Sequence, residues 1–240
     1  MKKTIFLLIF LSSFFVSLFA QEFKYNALTS IESHENFQQF MKFYYTNPKS
    51  ILIPSAINFI IDQKINETKE NERHIVPFFA QIFRTHDDKV PEWFANITKL
   101  SDDDKFIFAH AMFLSEGNNG KKEIQKFLES TENEELKQVF TRLSDNRKPI
   151  DLRTVTLTNP VYLDMLWSSF FASGDVSYLE KLLLATETKK KTIEEVLIFS
   201  AARWSMKANA QEHKKVFDFC IKNKGKHTKD INLFLEDFIE

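Results

Sequence analysis

Residues 160–184 read PVYLDMLWSSFFASGDVSYLEKLLL, and this stretch decides the fold class. Its apolar side chains recur every three or four positions, which is the period of one face of an α-helix. Gly174 supplies the left-handed stop of a first helix, and Asp175 supplies a capping side chain for a second. Asn159 and Pro160 form a similar start signal upstream. The stretch therefore predicts two helices joined by a tight turn.

The same period runs through the rest of the chain. Glycine and proline are scarce, with 4 and 6 copies in 240 residues, so tight β-hairpins are disfavoured. One further amphipathic stripe comprises Ile193, Val196, Leu197, Ala201 and Trp204. Three capping patterns precede such stripes: Ser101 with Asp104, Thr131 with Glu134, and Thr192 with Glu195. We therefore predict an all-α fold.

Turn signals divide the chain into antiparallel helical hairpins. The turns follow one another at uneven steps of roughly thirty to forty residues, which suits the stacked helix pairs of an α-solenoid. A compact, irregular helical domain would produce the same pattern. The predicted pairs are 31–45 with 57–65, 72–86 with 90–99, 102–115 with 121–129, 160–172 with 175–186, and 193–208 with 212–223, with single helices at 132–144 and 229–239.

Residues 149–158 interrupt the helical period. They are rich in β-branched side chains, show no helical stripe, and lie in a segment bounded by Pro149 and Pro160. We predict an extended connector here, with a short edge strand as the alternative. The connector separates N-terminal helical hairpins at 21–148 from C-terminal ones at 159–240, although the two parts could form one continuous domain.

Residues 1–20 predict a secretory signal peptide. Lys2 and Lys3 precede an uncharged apolar run, Ile5–Phe19, and Ala20 is the expected last residue removed. The alternative is an uncleaved anchor, although the run is shorter than the ~20 apolar residues that span a bilayer. The predicted location is the periplasm of a bacterium or the medium around it, with no membrane span left after cleavage.

Charge and cysteine content exclude several classes of function. The formal net charge is −1, and loss of Lys2 and Lys3 with the signal makes it −3, so nucleic acid is not a predicted partner. Cys220 is the single cysteine, so no internal disulfide forms. Its helical spacing with Val216 and Phe219 predicts a small buried hydrophobic residue rather than a nucleophile.

The sequence carries no recognisable catalytic or metal-binding motif. No two of the six histidines lie three to five residues apart, and no second cysteine is available, so we predict no metal and no cofactor. The consecutive acids at residues 102–104 are interpreted as favourable charges at a helix N-terminus. His110 lies in an apolar helix and is expected to hydrogen-bond to the backbone or to a carboxylate.

Arg203 and Trp204 are the candidate binding residues. They lie in an otherwise apolar helix, where a buried guanidinium needs a partner, and Asp164 on the preceding hairpin is the expected one. A guanidinium beside an indole could instead receive a carboxylate ligand in a groove. A second predicted surface is an aromatic patch at residues 43–45, because three successive rings cannot all face inward from one helix.

Around residues 158–223 the chain resembles tetratricopeptide-type repeats. The resemblance is carried by LWSSFFASGD at residues 166–175 together with Tyr178 and Leu179. The same segment is similar to exported bacterial proteins of uncharacterised role that are built from helical hairpins. The repeat length is irregular, and large leucines at residues 182–183 occupy positions where such repeats have small side chains. The resemblance implies a helical scaffold that holds partners, and it implies no catalytic residue.

These observations predict an exported, non-enzymatic α-helical protein. Its expected partner is another envelope or secreted protein, or a peptide, held in a groove between hairpins. One alternative is an enzyme of an unrecognised helical class, in which carboxylates and a histidine from distant helices converge on a pocket. Another alternative is a membrane-tethered structural protein that retains its first helix.

Overall fold

The structure, a computed structural model, describes residues 22–65, 68–95, 97, 100–145, 147–187 and 192–239. Helices are the only regular secondary structure in these ranges, which confirms the all-α prediction. The predicted signal peptide at residues 1–20 lies outside the described residues. In addition to a short helix at residues 22–26, the α-helices are α1 (His34–Phe43), α2 (Ile53–Asp62), α3 (Lys69–Thr85), α4 (Val90–Ala95), α5 (Asp102–Ser115), α6 (Asn118–Ser130), α7 (Glu134–Ser144), α8 (Val161–Ser173), α9 (Val176–Leu184), α10 (Ile193–Glu212), α11 (Lys214–Asn223) and α12 (Lys229–Ile239).

The chain divides into two compact units. The larger unit comprises Leu28–Val155 and Asp164–Gly174. The smaller unit comprises Thr156–Leu163, Asp175–Glu240 and the described residues before Leu28. Gly174 therefore ends a segment of one unit and Asp175 begins a segment of the other, inside the stretch that the sequence predicts to be a single hairpin. Among the described residues, none of the helices has the length and apolarity needed to cross a bilayer.

Phenylalanine dominates the core of the larger unit, in which α3 packs mainly against α5. The ring of Phe108 makes T-shaped, edge-to-face contacts with Phe79 and Phe94, with centroid separations of 5.8 and 5.2 Å. Aromatic pairs of this kind add about 0.5–1.5 kcal/mol beyond the burial of their area. A continuous series of ring contacts runs through Phe37, Phe40, Phe79, Phe108, Phe94, Phe127 and Phe140.

Side chains cap the helix termini of the larger unit. Ser101 and Asp104 form a complete capping box at the start of α5, as predicted. The predicted Thr131 cap is wrong, because α7 begins later and the side chain of Asn133 accepts from two of its first backbone amides. The Thr131 hydroxyl instead donates to Asp102 Oδ1 over 3.3 Å. The start of α5 is thereby tied to the start of α7.

A carboxylate from another part of the chain caps α6. Asp87 begins the 3-10 turn Asp87–Lys89 that follows α3. Its two carboxylate oxygens accept hydrogen bonds from the backbone amides of Asn119 and Gly120, each over 3.0 Å. Because these amides lie at a helix N-terminus, they have no partner within the helix itself, and Asp87 satisfies them.

The predicted aromatic patch at residues 43–45 is wrong. α1 ends at Phe43, and the chain continues as the 3-10 turn Tyr44–Thr46. Phe43 and Tyr44 are each only 2% exposed, while the ring of Tyr45 lies 4.9 Å from that of Phe170. The tighter period of a 3-10 turn changes the direction of successive side chains, so all three rings contact protein.

The segment 147–160 between α7 and α8 contains neither helix nor strand. The predicted connector is not extended throughout, because the backbone amides of Thr154 and Val155 donate to the carbonyl of Asp151 over 3.0 and 3.1 Å. Leu152 within this turn is 9% exposed.

In the smaller unit, α10 packs against α9 and α11, and α11 packs against α12. Thr192 and Glu195 form the predicted capping box at the start of α10. Asp175 caps α9 by accepting from the backbone amide of Ser177 over 2.9 Å, also as predicted. Cys220 is fully buried, which confirms its predicted packing role. Burial raises the pKa of its thiol to about 12, so the thiolate is scarce at neutral pH.

Candidate functional site

One face of α10 exposes a row of large apolar side chains. The exposed fractions are 76% for Ile193, 41% for Val196, 52% for Leu197 and 75% for Trp204. Since successive helical residues are about 100° apart, these four positions fall on one side of the helix. Ser200, which is also exposed, lies among them on the same side. We call these five residues the α10 stripe.

The opposite face of α10 enters the core of the smaller unit. Ile198, Ala202, Met206 and Ala210 are each at most 7% exposed. The amphipathic stripe identified in the sequence has the period of a helix but faces outward. It comprises Ile193, Val196, Leu197, Ala201 and Trp204. Since α10 is apolar on both sides, periodicity alone identifies the helix without indicating which side is buried. The size of the side chains could have distinguished the two faces of α10, because the buried face is rich in small residues that let neighbouring helices approach.

Arg203 lies beside the α10 stripe and is held by three elements of the smaller unit. Its Nε donates to the backbone carbonyl of Thr186 over 3.0 Å, and its Nη2 lies 3.1 Å from a carboxylate oxygen of Asp230. The guanidinium carbon is 4.3 Å from the ring centroid of Phe199 and 5.1 Å from that of Phe234. The guanidinium is thus placed between two aromatic rings and already paired with a carboxylate.

The predicted ion pair between Arg203 and Asp164 is wrong. Asp164 belongs to the larger unit, where its carboxylate lies 3.0 Å from Nε of Arg73. Arg203 does form an ion pair, but its partner is Asp230 on α12. Asp230 lies 27 positions after Arg203 in the sequence, so no local pattern indicates this pair.

The side chains of Arg203 and Trp204 point in different directions. Adjacent helical residues point about 100° apart, so the Arg203 side chain turns toward α12 while the indole of Trp204 is 75% exposed. Of the two candidate residues, Trp204 is therefore the one available to a partner, and it is the largest member of the α10 stripe.

A pocket of about 440 Å³ lies at the N-terminal half of α10, within the smaller unit. Leu157 and Ile198 give it apolar walls, and the side chain of Leu184, 52% exposed, lies at its lining. Lys181, Glu187 and Glu195 add one positive and two negative charges. The lining is therefore mixed polar and apolar, and because Ile198 belongs to the buried face of α10, the pocket lies on the side of the helix opposite the α10 stripe.

The larger unit brings a histidine and a serine together. Nδ1 of His74 lies 3.4 Å from the hydroxyl oxygen of Ser168, although the two residues are 94 positions apart in the sequence. Burial lowers the pKa of His74, the negative charge of Asp164 opposes this shift, and the positive charge of Arg73 adds to it. Ser168 is only 4% exposed, so a substrate could not reach its hydroxyl in this conformation.

His110, the other histidine considered from the sequence, makes a local contact. Its Nδ1 lies 2.9 Å from the backbone carbonyl oxygen of Phe106, and the centroid of its ring lies 4.3 Å from that of the Phe106 ring, with the two rings tilted by 60°. The predicted hydrogen bond to the backbone is thereby confirmed. In the part of the chain that the structure describes, no group of three or more histidine, cysteine or carboxylate side chains is arranged to hold a metal ion.

Comparison with known proteins adds no further assignment: no protein-family model, no curated protein and no solved structure matches this chain.

Proposed function

We propose that this chain is an exported, non-enzymatic α-helical protein that binds another protein or a peptide through the α10 stripe. The observation that carries the proposal is the exposure of Ile193, Leu197 and Trp204 on one helix face. Exposed apolar patches of about 300–600 Å² on soluble proteins commonly mark interaction sites. A tryptophan at the centre of a contact is also among the side chains that contribute most to binding energy.

The spacing of the stripe supports the same function. Its side chains recur at intervals of three or four residues along α10. An amphipathic helix of a partner docks against such a face when its own apolar anchors fall at the same intervals. The helical hairpins would serve as the scaffold that presents this face, in an array of the α-solenoid type.

The proposal is tested by site-specific photo-crosslinking from residue 197 in an envelope or culture extract, compared with the same experiment in a Trp204→Glu variant. We expect a discrete crosslinked species that Trp204→Glu reduces at least tenfold, because a buried carboxylate at the contact has no partner. Leu233→Glu is the matched control, since Leu233 on α12 is 54% exposed and lies outside the stripe. Equal crosslinking in all three proteins would refute the proposal.

Export is tested separately by N-terminal sequencing of the protein recovered from cells. A chain that begins at Gln21 or Glu22 supports a cleaved signal peptide, whereas one that begins at the first residues supports the tethered alternative.

One observation favours the alternative of an enzyme, namely the approach of His74 to Ser168 near the carboxylate of Asp164. A serine activated by a histidine is the basis of many hydrolases. This alternative predicts that a fluorophosphonate probe labels Ser168 and that His74→Gln abolishes the labelling. The binding proposal predicts no labelling, because Ser168 is buried and Asp164 is already paired with Arg73.

A further inference from the structure

The first turn of α6 contains Asn119 followed by Gly120, the one Asn-Gly pair in the sequence. In such a pair the backbone nitrogen of the glycine can attack the side-chain carbon Cγ of the asparagine, because glycine has no side chain to obstruct the approach. Asn-Gly is accordingly the dipeptide that deamidates most readily. The start of α6 therefore carries a peptide bond with an intrinsic reactivity.

Deamidation of this pair takes two steps. A base removes the proton from the Gly120 nitrogen, which forms a bond to Cγ of Asn119 while the Cγ–Nδ2 bond breaks and ammonia leaves with a proton taken from water. A water molecule then adds to one of the two carbonyl carbons of the resulting five-membered imide ring and opens it. The net change is the gain of one water and the loss of one ammonia, and residue 119 becomes aspartate or isoaspartate.

The helix itself does not engage the attacking nitrogen. The backbone amide of Lys121 donates to the carbonyl of Gly117 over 3.1 Å, and this bond begins the helical series. The amides of Asn119 and Gly120 come before it, where a helix offers no partner. Nζ of Lys122 lies 3.4 Å from Oδ1 of Asn119 at the surface, which is long for a hydrogen bond. Protection of this peptide bond therefore depends on another part of the chain.

The carboxylate of Asp87 gives that protection. Its Oδ1 accepts from the Gly120 amide and its Oδ2 accepts from the Asn119 amide, each over 3.0 Å. The proton that deamidation must remove is therefore bonded to an anion, whose charge opposes a second negative charge on the nitrogen. The same two bonds hold Asn119 in the helical conformation, which must be left before the imide ring can close. Gly120 is also buried.

From these contacts we propose that Asn119 is a latent deamidation site, which the Asp87 cap keeps closed and which reacts when the start of α6 opens locally. Helix ends open more readily than the centre of a packed unit. The reaction does not reverse in water, so an opening that reaches ring closure leaves a permanent product. An isoaspartate lengthens the backbone in the first turn of α6, so its amides no longer match the carboxylate and the modified helix stays uncapped.

Ageing the purified protein in mildly alkaline buffer, followed by peptide mapping with mass spectrometry, tests the proposal. Asp87→Ala should deamidate at Asn119 roughly five to thirty times faster than the unaltered protein, the factor that loss of a helix cap gives. Gly117→Ala should act in the same way, because its methyl group would lie where the carboxylate stands. In concentrated urea all three proteins should react at one common, faster rate, since only the dipeptide then determines it.

Ser101→Ala is the matched control, since it removes the cap of α5 in the same unit without touching Asp87. Its stability should fall by a similar amount, while Asn119 should deamidate within about twofold of the unaltered rate, because the opening that exposes it is local.

Three results would overturn the proposal. Equal acceleration in Ser101→Ala would show that Asn119 reacts through unfolding of the whole unit. Equal rates in Asp87→Ala and the unaltered protein would show that the carboxylate gives no protection, and so would deamidation of the folded, unaltered protein at the rate found in urea. None of these measurements depends on the α10 stripe, so this proposal and the proposed function stand or fail separately.

Discussion

Asp87 occupies the space into which a side chain at Gly117 would project: an ideal Cβ on Gly117 would lie 2.6 Å from the Asp87 Cγ and closer still to its Oδ1. Gly117 has a φ of −73°, which any residue can adopt, so backbone conformation does not explain the glycine. The explanation is the carboxylate, which must come close to cap α6 through the amides of Asn119 and Gly120.

The first prediction concerns this pair. Gly117→Ala should lower the free energy of unfolding by about 1–2 kcal/mol, the usual value of a lost helix cap, because the methyl group displaces the carboxylate. Asp87→Ala should cost a similar amount. In the Asp87→Ala background, Gly117→Ala should cost less than about 0.5 kcal/mol, since the cap is already absent. Urea unfolding followed by circular dichroism measures all three, and additive losses would contradict this explanation.

The second prediction concerns Tyr44, whose hydroxyl is buried and has no hydrogen-bond partner among the described residues. Tyr44→Phe should leave stability at neutral pH unchanged or raise it by up to about 1 kcal/mol, because a buried polar group without a partner is destabilising. Phe108→Ala, at a fully buried ring in the same unit, is the contrasting variant and should cost about 3–5 kcal/mol.

Tyr44 also predicts a pH dependence. Burial raises its pKa from 10.0 to about 12 in the folded protein. Between these values the unfolded chain has lost a proton that the folded protein still holds, so stability falls as pH rises, by about 1.4 kcal/mol per pH unit. Denaturant midpoints measured at pH 9 and pH 11 should therefore fall less in Tyr44→Phe than in the unaltered protein. An equal fall in both would show that Tyr44 ionises without penalty.

The third prediction concerns His74 at acidic pH. Its pKa is lowered from the ordinary value of 6.5, mainly by burial. As pH falls through 6.5, the unfolded chain binds a proton before the folded protein does, so the folded state loses stability. His74→Gln should reduce the loss of thermal stability between pH 7 and pH 5. Ser168→Ala is the control, because it alters the contact without removing the titrating ring, and it should keep the pH dependence.

The fourth prediction concerns Arg203. Arg203→Ala should cost about 1–2 kcal/mol, since it removes the bond to the Thr186 carbonyl and the partly exposed ion pair with Asp230. Arg203→Lys should recover only part of this loss, because an ammonium lacks the planar group that lies between Phe199 and Phe234. Thermal unfolding measures both variants. Unchanged stability together with lost partner binding would assign Arg203 to recognition instead.

The sequence predicted the elements whose signals are local. The caps at Ser101, Thr192 and Asp175 each depend on residues within three positions, and the structure contains all of them. The predicted Thr131 cap is wrong because Asn133, two positions later, caps the helix instead, and the Thr131 hydroxyl is bound to Asp102. Local patterns therefore locate the helices well and their first residues less well.

Features that depend on distant residues could not be predicted. The carboxylate that caps α6 comes from about thirty positions upstream, and the guanidinium of Arg203 finds its carboxylate on α12. The outward direction of the α10 stripe was missed because α10 is apolar on two sides, so the choice of buried face depends on which neighbours are small enough to approach. The sequence does show the helical period of the stripe, but it does not show which way the stripe faces.

The uninterrupted series of phenylalanine rings from Phe37 to Phe140 affects how the larger unit unfolds. Each interior ring touches the one before and the one after it, so losing any of them leaves two neighbours with a void. Unfolding at one end of the series therefore weakens the packing along the rest of it, and we expect no stable, partly unfolded state. The larger unit should consequently melt in a single sharp transition rather than helix by helix.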